Sequence, residues 1–247
     1  IINKSNIMGF YRGPNIVTDG LELVVDIASE RSYPGSGTTA TCLISGITFV
    51  PDVNTPTFVT AGIAHVDMEK DNPDNLKSTS GYTGINTQNA YTRIGWFNIE
   101  SSDGNFQPII GNVIGNNINM GLTISNYRLK FYQYSNTASG GTSNGDYGVS
   151  GTAQIPANTW AQGAIVVNRS AQTLKFYING TLDRSTSINL IGNSSSASVL
   201  IGGPDSDSYS GARYFDGKIA RVSHYNRELT AAEIAQDYNA LKSRFGL

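Results

Sequence analysis

Apolar and polar positions alternate over short stretches of the chain, which is the pattern of half-buried β-strands. In residues 21–26, Leu21, Leu23 and Val25 alternate with Glu22, Val24 and Asp26. A period of two places the apolar residues on one face of a strand. Further runs with strand composition are separated by Gly, Pro, Asn and Ser, and they lie at 47–50, 57–60, 63–66, 91–100, 108–113, 121–125, 127–134, 159–168, 174–178, 181–183, 198–202 and 215–224. The pattern predicts an all-β chain.

Two of the predicted turns are short enough to define hairpins. Asn179-Gly180 separates two runs, and both residue types tolerate the positive φ values of a type I′ turn. Asn126 separates another pair in the same way. We therefore expect two tight antiparallel pairs.

A helix is predicted only at the carboxyl end. Thr230 and Glu233 have the spacing of a capping box, in which each side chain bonds the other residue's backbone N–H. Ile234, Tyr238 and Leu241 then recur along one helical face. We expect a helix over 230–244 that docks this face on the sheets.

Three polar segments are predicted to be surface loops. Residues 69–83 contain Asp71 and Asp74 and are too polar to be buried. Residues 135–153 are rich in Ser, Gly, Thr and Asn, with Asp146 and Tyr147 near the centre, and their length makes them a candidate binding loop. The third loop, 203–211, carries Asp205, Asp207 and Tyr209.

Composition and charge narrow the classes of function. The chain has 27 Gly and 13 Tyr with 15% charged residues, which favours sheets and turns, and 247 residues fit one sandwich domain (21–247) after an amino-terminal arm (1–20). A net charge of −2 without basic clusters argues against nucleic-acid binding. No apolar run could span a bilayer, and the first residues lack the apolar centre of a signal peptide. Cys42 is a single cysteine, which excludes an internal disulfide.

The order of motifs from Asn158 onward resembles the laminin-G-like, concanavalin-type family. Trp160 opens a strand as in that family, and the Asn179-Gly180 hairpin and the Asp216-Gly217 turn match its later motifs. The family's aromatic-rich motif after the first long turn is replaced here by Thr-Ala-Thr-Cys at 39–42. The resemblance implies a concanavalin-like jelly-roll sandwich with lectin-like binding.

The two ends of the chain are similar to a narrower group. The segments MGFYRGPNIVTDGL and ELTAAEIAQDYNALKSRFGL resemble uncharacterised virion proteins of tailed phages, notably marine ones. This resemblance implies a structural or fibre-like role on the virion surface. Its implied partners are other virion proteins, including identical copies.

The sequence offers little for catalysis. Glycosidases need paired carboxylates, and those of the resembled family carry a Glu-x-Asp-x-Glu run that this chain lacks. Asp67 and Glu69 come nearest, on one strand face, and we interpret them as solvated charges at a loop edge. His65 and His224 are the only histidines, so a histidine cluster for metal binding cannot form, and we read His224 as structural. We predict that the protein is not an enzyme.

The sequence offers more candidate residues for ligand binding than for catalysis. The resemblance implies a calcium site at a loop end, for which Asp67, Asp71 and Asp74 are the candidates, and a solvated acidic loop is the alternative explanation of these residues. Loop aromatic and carboxylate groups suit glycans. The candidate ligand-binding residues are Asp146, Tyr147, Asp205, Asp207 and Tyr209.

The leading hypothesis is a non-enzymatic virion surface protein, either a capsid decoration or a head-fibre or tail-fibre component, with a lectin-like domain that binds a cell-surface glycan. The alternative is a free, extracellular carbohydrate-binding module, either alone or assisted by calcium. A glycoside hydrolase is the more distant alternative. No cofactor other than calcium is implied.

Overall fold

The computed structural model describes residues 14–82, 88–114, 117–135, 145–187, 198–204 and 213–247. Within these ranges, sixteen strands form two sheets of eight, and neighbouring strands pair antiparallel. The sheets face each other across one large apolar core. The predicted all-β sandwich is confirmed.

The first sheet, sheet A, carries the helix on its outer surface. Its strands in spatial order are β14 (Thr181–Ser187), β13 (Thr173–Ile178), β12 (Trp160–Asn168), β7 (Ala90–Ile99), β16 (Gly217–Tyr225), β5 (His65–Met68) and β4 (Thr57–Val59), with β1 (Leu21–Asp26) paired to the later part of β16.

Sheet B forms the other layer and corrects two loop predictions. Its spatial order is β11 (Gly145–Ser150), β10 (Arg128–Ser135), β9 (Asn117–Ser125), β8 (Gln107–Ile114), β15 (Ser198–Ile201), β6 (Leu76–Ser78), β3 (Thr48–Pro51) and β2 (Ala40–Thr41). β11 lies inside the segment predicted as the loop 135–153, and β6 inside the predicted loop 69–83. β6 pairs with β15, which is distant in sequence, and β11 pairs with the preceding strand β10; composition alone reveals neither pairing.

Alternation along the strands separates the core from the outer face of sheet A. In β7, Phe97 and Ile99 point into the core between the sheets. Trp96 lies in a separate apolar cluster with Phe245 of the carboxyl-terminal segment. Because successive side chains of a strand point to opposite faces, Asn98 lies on the outer face with Trp96.

Both predicted hairpin turns are confirmed. Asn179 and Gly180 have φ values of 49° and 76°, and Asn126 and Tyr127 have values of 51° and 59°. Positive φ at both central residues is the type I′ geometry. Tyr127 therefore belongs to the turn, and β10 begins one residue later than its composition predicts.

The predicted helix is also confirmed. Helix α1 spans Ala231–Leu241 and continues as a 3-10 helix over Lys242–Phe245. Both bonds of the Thr230–Glu233 capping box are present. Ile234 is fully buried on the outer side of sheet A. Within the described residues, no helix has the length and apolarity needed to cross a membrane.

The described part of the predicted arm packs on the sandwich. Val17 is buried, and its carbonyl oxygen accepts a hydrogen bond of 3.0 Å from the Tyr225 hydroxyl. Gln236 of α1 donates to the carbonyl oxygen of Asn15 at 2.9 Å. Residues 14–20 thus contact β16 and α1, while residues 1–13 of the predicted arm lie outside the described residues.

Candidate functional site

The outer face of sheet A is divided into two halves. In the covered half, Trp96 and Ala220 lie beneath the aromatic and apolar side chains of α1 and the 3-10 helix. The open half lies at the other end of the same strands and carries six polar residues, here called the polar array: Asp67, Glu69, Asn98, Glu100, Asp216 and Lys218.

Strand register arranges the polar array in two rows. Lys218 of β16 is paired with Asp67 on one side and Asn98 on the other. One step along, Gly217 pairs with Met68 and Ile99, so Asp216 falls between Glu69 and Glu100. Directly opposed residues in antiparallel strands have Cβ atoms about 5 Å apart. Residues from three distant parts of the sequence therefore meet on one surface.

Gly217 makes this close approach possible. Its φ is 138°, and a Cβ atom there would collide with the carbonyl oxygen of Asn98. The backbone N–H of Glu100 donates to Asp216 O at 2.9 Å just beside it. Asp216 and Gly217, which the sequence marks as a turn, thus lead into β16 next to the site.

Three carboxylates of the polar array converge. One oxygen each from Asp67, Glu69 and Glu100 can be chosen so that all lie within 4.8 Å of one another. Burial raises the pKa of Asp67, and the nearby Glu100 carboxylate raises it further. Burial and the neighbouring Asp216 raise the pKa of Glu69. The three carboxylates therefore concentrate negative charge, and their burial and proximity destabilise the ionised forms of Asp67 and Glu69.

Two lysines offset part of this charge. Lys218 Nζ donates to Glu100 Oε1, and this hydrogen bond is the main reason that the pKa of Lys218 is raised. Lys70 Nζ lies 3.7 Å from Asp216 Oδ2, which also accepts a hydrogen bond from the Ser101 hydroxyl. Asp216 is thus engaged at the edge of the array, while Glu69 is exposed to solvent.

Asp74 lies below the array, which corrects the prediction that this segment is entirely exposed. Its side chain is only 2% exposed, and Oδ1 accepts a hydrogen bond of 3.0 Å from Glu69 N. Burial raises the pKa of Asp74 to about 7. Asp71 remains exposed. The structure therefore groups Asp67 with Glu69 and Glu100 rather than with the predicted Asp71 and Asp74.

An aromatic residue borders the array. Trp160 of β12 is paired with Asn98, and its half-buried ring lies between His65 and Phe245, at centroid distances of 5.8 and 5.1 Å. His65 Nδ1 donates to the Ile63 carbonyl oxygen at 2.6 Å. One side of the array is therefore bordered by an aromatic ring that packs against the covered half.

The other histidine has a structural environment. His224 is fully buried, and its Nε2 lies 3.2 Å from Gln88 Oε1. Burial lowers the pKa of His224 well below its ordinary value, so the ring is neutral at neutral pH. The structural interpretation of His224 agrees with this position.

Comparison with known proteins identifies the fold family. A family model of laminin-G-like domains, described as the concanavalin A-like lectin/glucanases superfamily, matches residues 71–235, which is more than half of the chain. The chain belongs to the concanavalin A-like lectin/glucanase superfamily. The match includes Asn98, Glu100 and Lys218, whereas Asp67 and Glu69 precede it. No curated protein has a significant sequence match to this chain.

Solved structures of similar fold come from binding domains and enzymes. Domain 4 of AbnA, an extracellular arabinanase of Geobacillus stearothermophilus solved with arabinotriose, has a TM-score of 0.63 and 14% identity over 90% of this chain and 100% of the domain. A botulinum neurotoxin DC binding domain, in complex with SialylT, has a TM-score of 0.60 and 16% identity, and the match covers 90% of this chain and 52% of the toxin domain. A Trypanosoma rangeli sialidase has a TM-score of 0.62 and 15% identity, and the match covers 93% of this chain and 34% of the sialidase. At these identities the likeness shows the fold alone, and the chain spans about half or less of the toxin domain and sialidase.

The other predicted site residues lie away from the polar array. Asp146 and Tyr147 belong to β11, at the edge of sheet B, where they are paired with Tyr134 and Gln133 rather than placed in a loop. The remaining three, Asp205, Asp207 and Tyr209, lie outside the described residues. Of the residues predicted to bind a ligand or a metal, the structure therefore places Asp67 alone in the array.

Sequence reasoning missed most of the array because its members are far apart in the chain. The available signal was a polar residue at the end of each of two apolar runs, Glu100 in one and Lys218 at the start of the other. These residues are adjacent because of the β5–β16–β7 strand order, which the sequence alone does not reveal.

Proposed function

We propose that this chain is a non-catalytic glycan-binding protein of a virion surface, as a capsid decoration or a head-fibre or tail-fibre component, and that the open half of sheet A is its glycan-binding surface. The observation that carries the proposal is the row Trp160, Asn98, Lys218 and Asp67 across four adjacent strands. An aromatic ring beside amide, ammonium and carboxylate groups supplies the apolar and hydrogen-bonding contacts that sugars need.

Rigid placement supports this role. The row is held by strand pairing rather than by loops, so little side-chain or backbone order has to be gained on binding. Glu69 is exposed, and the side chains of Lys218 and Glu100 are 30% and 33% exposed, so the groups are accessible to a ligand. The arabinotriose-bound arabinanase domain shares this fold, which supports the same class of ligand here.

The binding surface is tested on a glycan array with purified protein. We expect Lys218→Ala and Glu69→Ala each to lower the signal for the recognised glycan at least tenfold. Lys77→Ala is the matched control, because Lys77 lies on sheet B and pairs with Asp52 at 3.3 Å. If Lys218→Ala and the control bind the glycan equally, with folding verified by circular dichroism, the open half is not the binding surface.

The virion role is tested separately. The similarity of both chain ends to phage virion proteins supports it, and the partners proposed are other virion proteins, including identical copies. Mass spectrometry of density-purified particles, before and after a high-salt wash, should detect the polypeptide in both samples. Complete absence from the particles, with glycan binding retained, would instead favour the free carbohydrate-binding module.

A glycoside hydrolase is the second candidate because three carboxylates meet in the polar array. Retaining hydrolases hold two carboxyl groups roughly 5 Å apart, one that acts as general acid and then general base and one that acts as nucleophile. Their environments push the two pKa values apart, whereas the pKa values of Asp67 and Glu69 are both raised and Glu100 is paired with Lys218. Release of reducing sugar from polysaccharides, abolished by Glu69→Gln, would establish hydrolysis and overturn the non-catalytic proposal.

A further inference from the structure

We propose that the polar array binds a protonated amino sugar, whose ammonium group lies between Asp67, Glu69 and Glu100; the inference rests on the proposed function and names the class of glycan. The three carboxylates can present oxygens that all lie within 4.8 Å of one another. A primary ammonium group has three N–H donors. Its charge-assisted bonds to carboxylates measure about 2.8 Å, which places tetrahedrally arranged acceptors roughly 4.6 Å apart. The spacing of the carboxylates therefore fits one ammonium nitrogen.

Asn98 provides an observation that is independent of the carboxylates. It is only 7% exposed, and its Oδ1 atom is buried with no hydrogen-bond partner among the described residues. The residue lies within the row of the array, paired with Lys218 on one side and with Trp160 on the other. A buried carbonyl oxygen without a donor costs free energy. A ligand that brings N–H or O–H groups to this row removes that cost.

The lysines beside the array do not supply the missing donors. Lys218 Nζ is directed to Glu100 Oε1. Lys70 Nζ lies 3.7 Å from Asp216 Oδ2, so this second pair adds no net charge. Asp67 Oδ1, by contrast, is buried and has no hydrogen-bond partner in the described part of the chain. A bound ammonium group gives this oxygen a donor.

The charge of the array distinguishes between classes of glycan. Asp67, Glu69 and Glu100 carry three negative charges when ionised, and Lys218 returns one positive charge, which leaves −2. A sugar carboxylate or sulfate would bring a further negative charge to these groups, and a neutral sugar would leave their repulsion unchanged. Burial and neighbouring carboxylates raise the pKa of Asp67 and Glu69, and an ammonium group between them stabilises the ionised forms. The array therefore favours a cationic sugar.

Trp160 favours a sugar over a simple amine. Its half-buried ring borders the array and packs between His65 and Phe245. An aromatic face provides apolar contact area for a sugar ring, and the neighbouring Asn98 amide provides hydrogen bonds for hydroxyl groups. An amino sugar combines the apolar, hydroxyl and ammonium groups that these side chains match.

Isothermal titration of the full chain with two matched oligosaccharides tests the inference. The glucosamine tetramer carries free amines, and the N-acetylglucosamine tetramer has the same rings and linkages without the positive charge. EDTA in both titrations excludes a bridging metal ion. We expect the amine form to bind about tenfold more tightly, because charge-assisted hydrogen bonds are roughly twice as strong as neutral ones. The preference should shrink between about 0.1 and 1 M salt, since the Debye length falls from about 10 Å to about 3 Å.

Substitutions in the array should reduce this preference. We expect Asp67→Asn and Glu69→Gln each to lower it about fivefold, because each removes one charged acceptor. Asp71→Asn, at an exposed acidic residue of the neighbouring loop, is the matched control and should keep the wild-type preference. Equal affinity of the wild type for the two tetramers, or an undiminished preference in both folded array variants, would overturn the inference. Hexalysine that competes as well as the glucosamine tetramer would also overturn it, since the surface would then recognise positive charge on a peptide.

The ratio of the two affinities separates this inference from the proposed function. Lys218→Ala removes a group that both tetramers can contact, so it should lower both affinities without diminishing the preference for the amine. Tighter binding of the N-acetylated tetramer or of an acidic glycan, lost in Lys218→Ala, would reject the amino sugar and leave the glycan-binding surface standing. Absence of binding to every glycan tested would reject the glycan-binding surface and this inference with it.

Discussion

The covered and open halves of sheet A are built on the same strands but have opposite character. In the covered half, Trp96 stacks on Phe245 at 4.1 Å and on Tyr238 at 5.7 Å. Two residues further along β7, Asn98 faces Lys218 and has a buried oxygen without a partner in the described chain. A step of two residues thus separates an apolar, well-packed surface from a charged one.

The difference indicates what each half contributes. Stacked, buried aromatic rings stabilise the fold through apolar burial. Carboxylates with raised pKa values cost stability when they are ionised, and such groups concentrate at functional sites. The covered half therefore stabilises the domain, and the open half keeps charge at a cost in stability, which is the character expected of the proposed glycan-binding surface. Each of the following substitutions tests one side of this division.

Phe245→Ala should have the largest effect. Phe245 is 4% exposed and contacts both Trp96 and Trp160, so truncation removes buried apolar surface and leaves a cavity. We expect a loss of about 3–5 kcal/mol in the free energy of unfolding, measured by urea denaturation. Leu247→Ala, at a residue that is 45% exposed, is the control and should change it by less than about 0.5 kcal/mol. A loss below about 1 kcal/mol in Phe245→Ala would show that the 3-10 helix adds little to the covered half.

Asp74→Asn tests the cost of charge below the open half. The pKa of Asp74 is about 7 in the folded protein and 3.8 as the reference, so the folded state binds more protons between these values. The stability linked to Asp74 is therefore full below pH 4 and is lost as the pH rises through 7. Asparagine can keep the bond from Glu69 N without the charge. We expect the variant to be about 1–3 kcal/mol more stable than the wild type at pH 8, with the gain vanishing at pH 4, by urea denaturation at both pH values.

Asp71→Asn is the control for this pH profile. Asp71 is exposed in the same segment, so its neutralisation should leave the pH dependence of stability unchanged. If the difference in the free energy of unfolding between Asp74→Asn and the wild type stays constant from pH 4 to 8, the Asp74 carboxylate is solvated and does not destabilise the fold.

The sequence predicted the covered half better than the open half, and the reason is the range of the interactions. The capping box at Thr230 and the turn at Asn179-Gly180 are local, so adjacent residues determine them. The polar array combines Asp67, Glu100 and Lys218, which are related only by strand order and register. The sequence showed Asp67 and Glu69 on one strand face but not the third carboxylate beside them. Asp74 was misassigned because its burial depends on this long-range packing.

Thr230→Ala should weaken the covered half moderately. The Thr230 hydroxyl accepts a hydrogen bond from Glu233 N at 3.2 Å and begins α1. Loss of this cap should lower the free energy of unfolding by about 1 kcal/mol, measured by thermal or urea denaturation. Thr230→Ser keeps the hydroxyl and should retain most of the stability. Equal losses in both variants would indicate that the threonine methyl group, and not the cap, is responsible.

Glu100→Gln should have the smallest effect on stability, although it changes the centre of the open half. The Lys218–Glu100 pair is partly exposed, and such pairs contribute about 0–1 kcal/mol. The substitution also removes a like charge from Asp67, which offsets part of that loss. We expect a change below about 0.5 kcal/mol in urea denaturation. The pKa of Asp67, followed by carboxyl-carbon NMR, should fall towards its ordinary value, because Glu100 is one cause of its elevation.

The exposed Glu30 provides the matched control, since Glu30→Gln should alter neither stability nor the titration of Asp67. A loss above about 1.5 kcal/mol in Glu100→Gln would mean that the Lys218–Glu100 pair is structural, and the contrast between the two halves would then fail. If stability is retained while the titration of Asp67 shifts, the carboxylates are coupled to one another more strongly than to the fold. Carboxylates that are coupled to one another at a small cost in stability are what a ligand-binding surface requires.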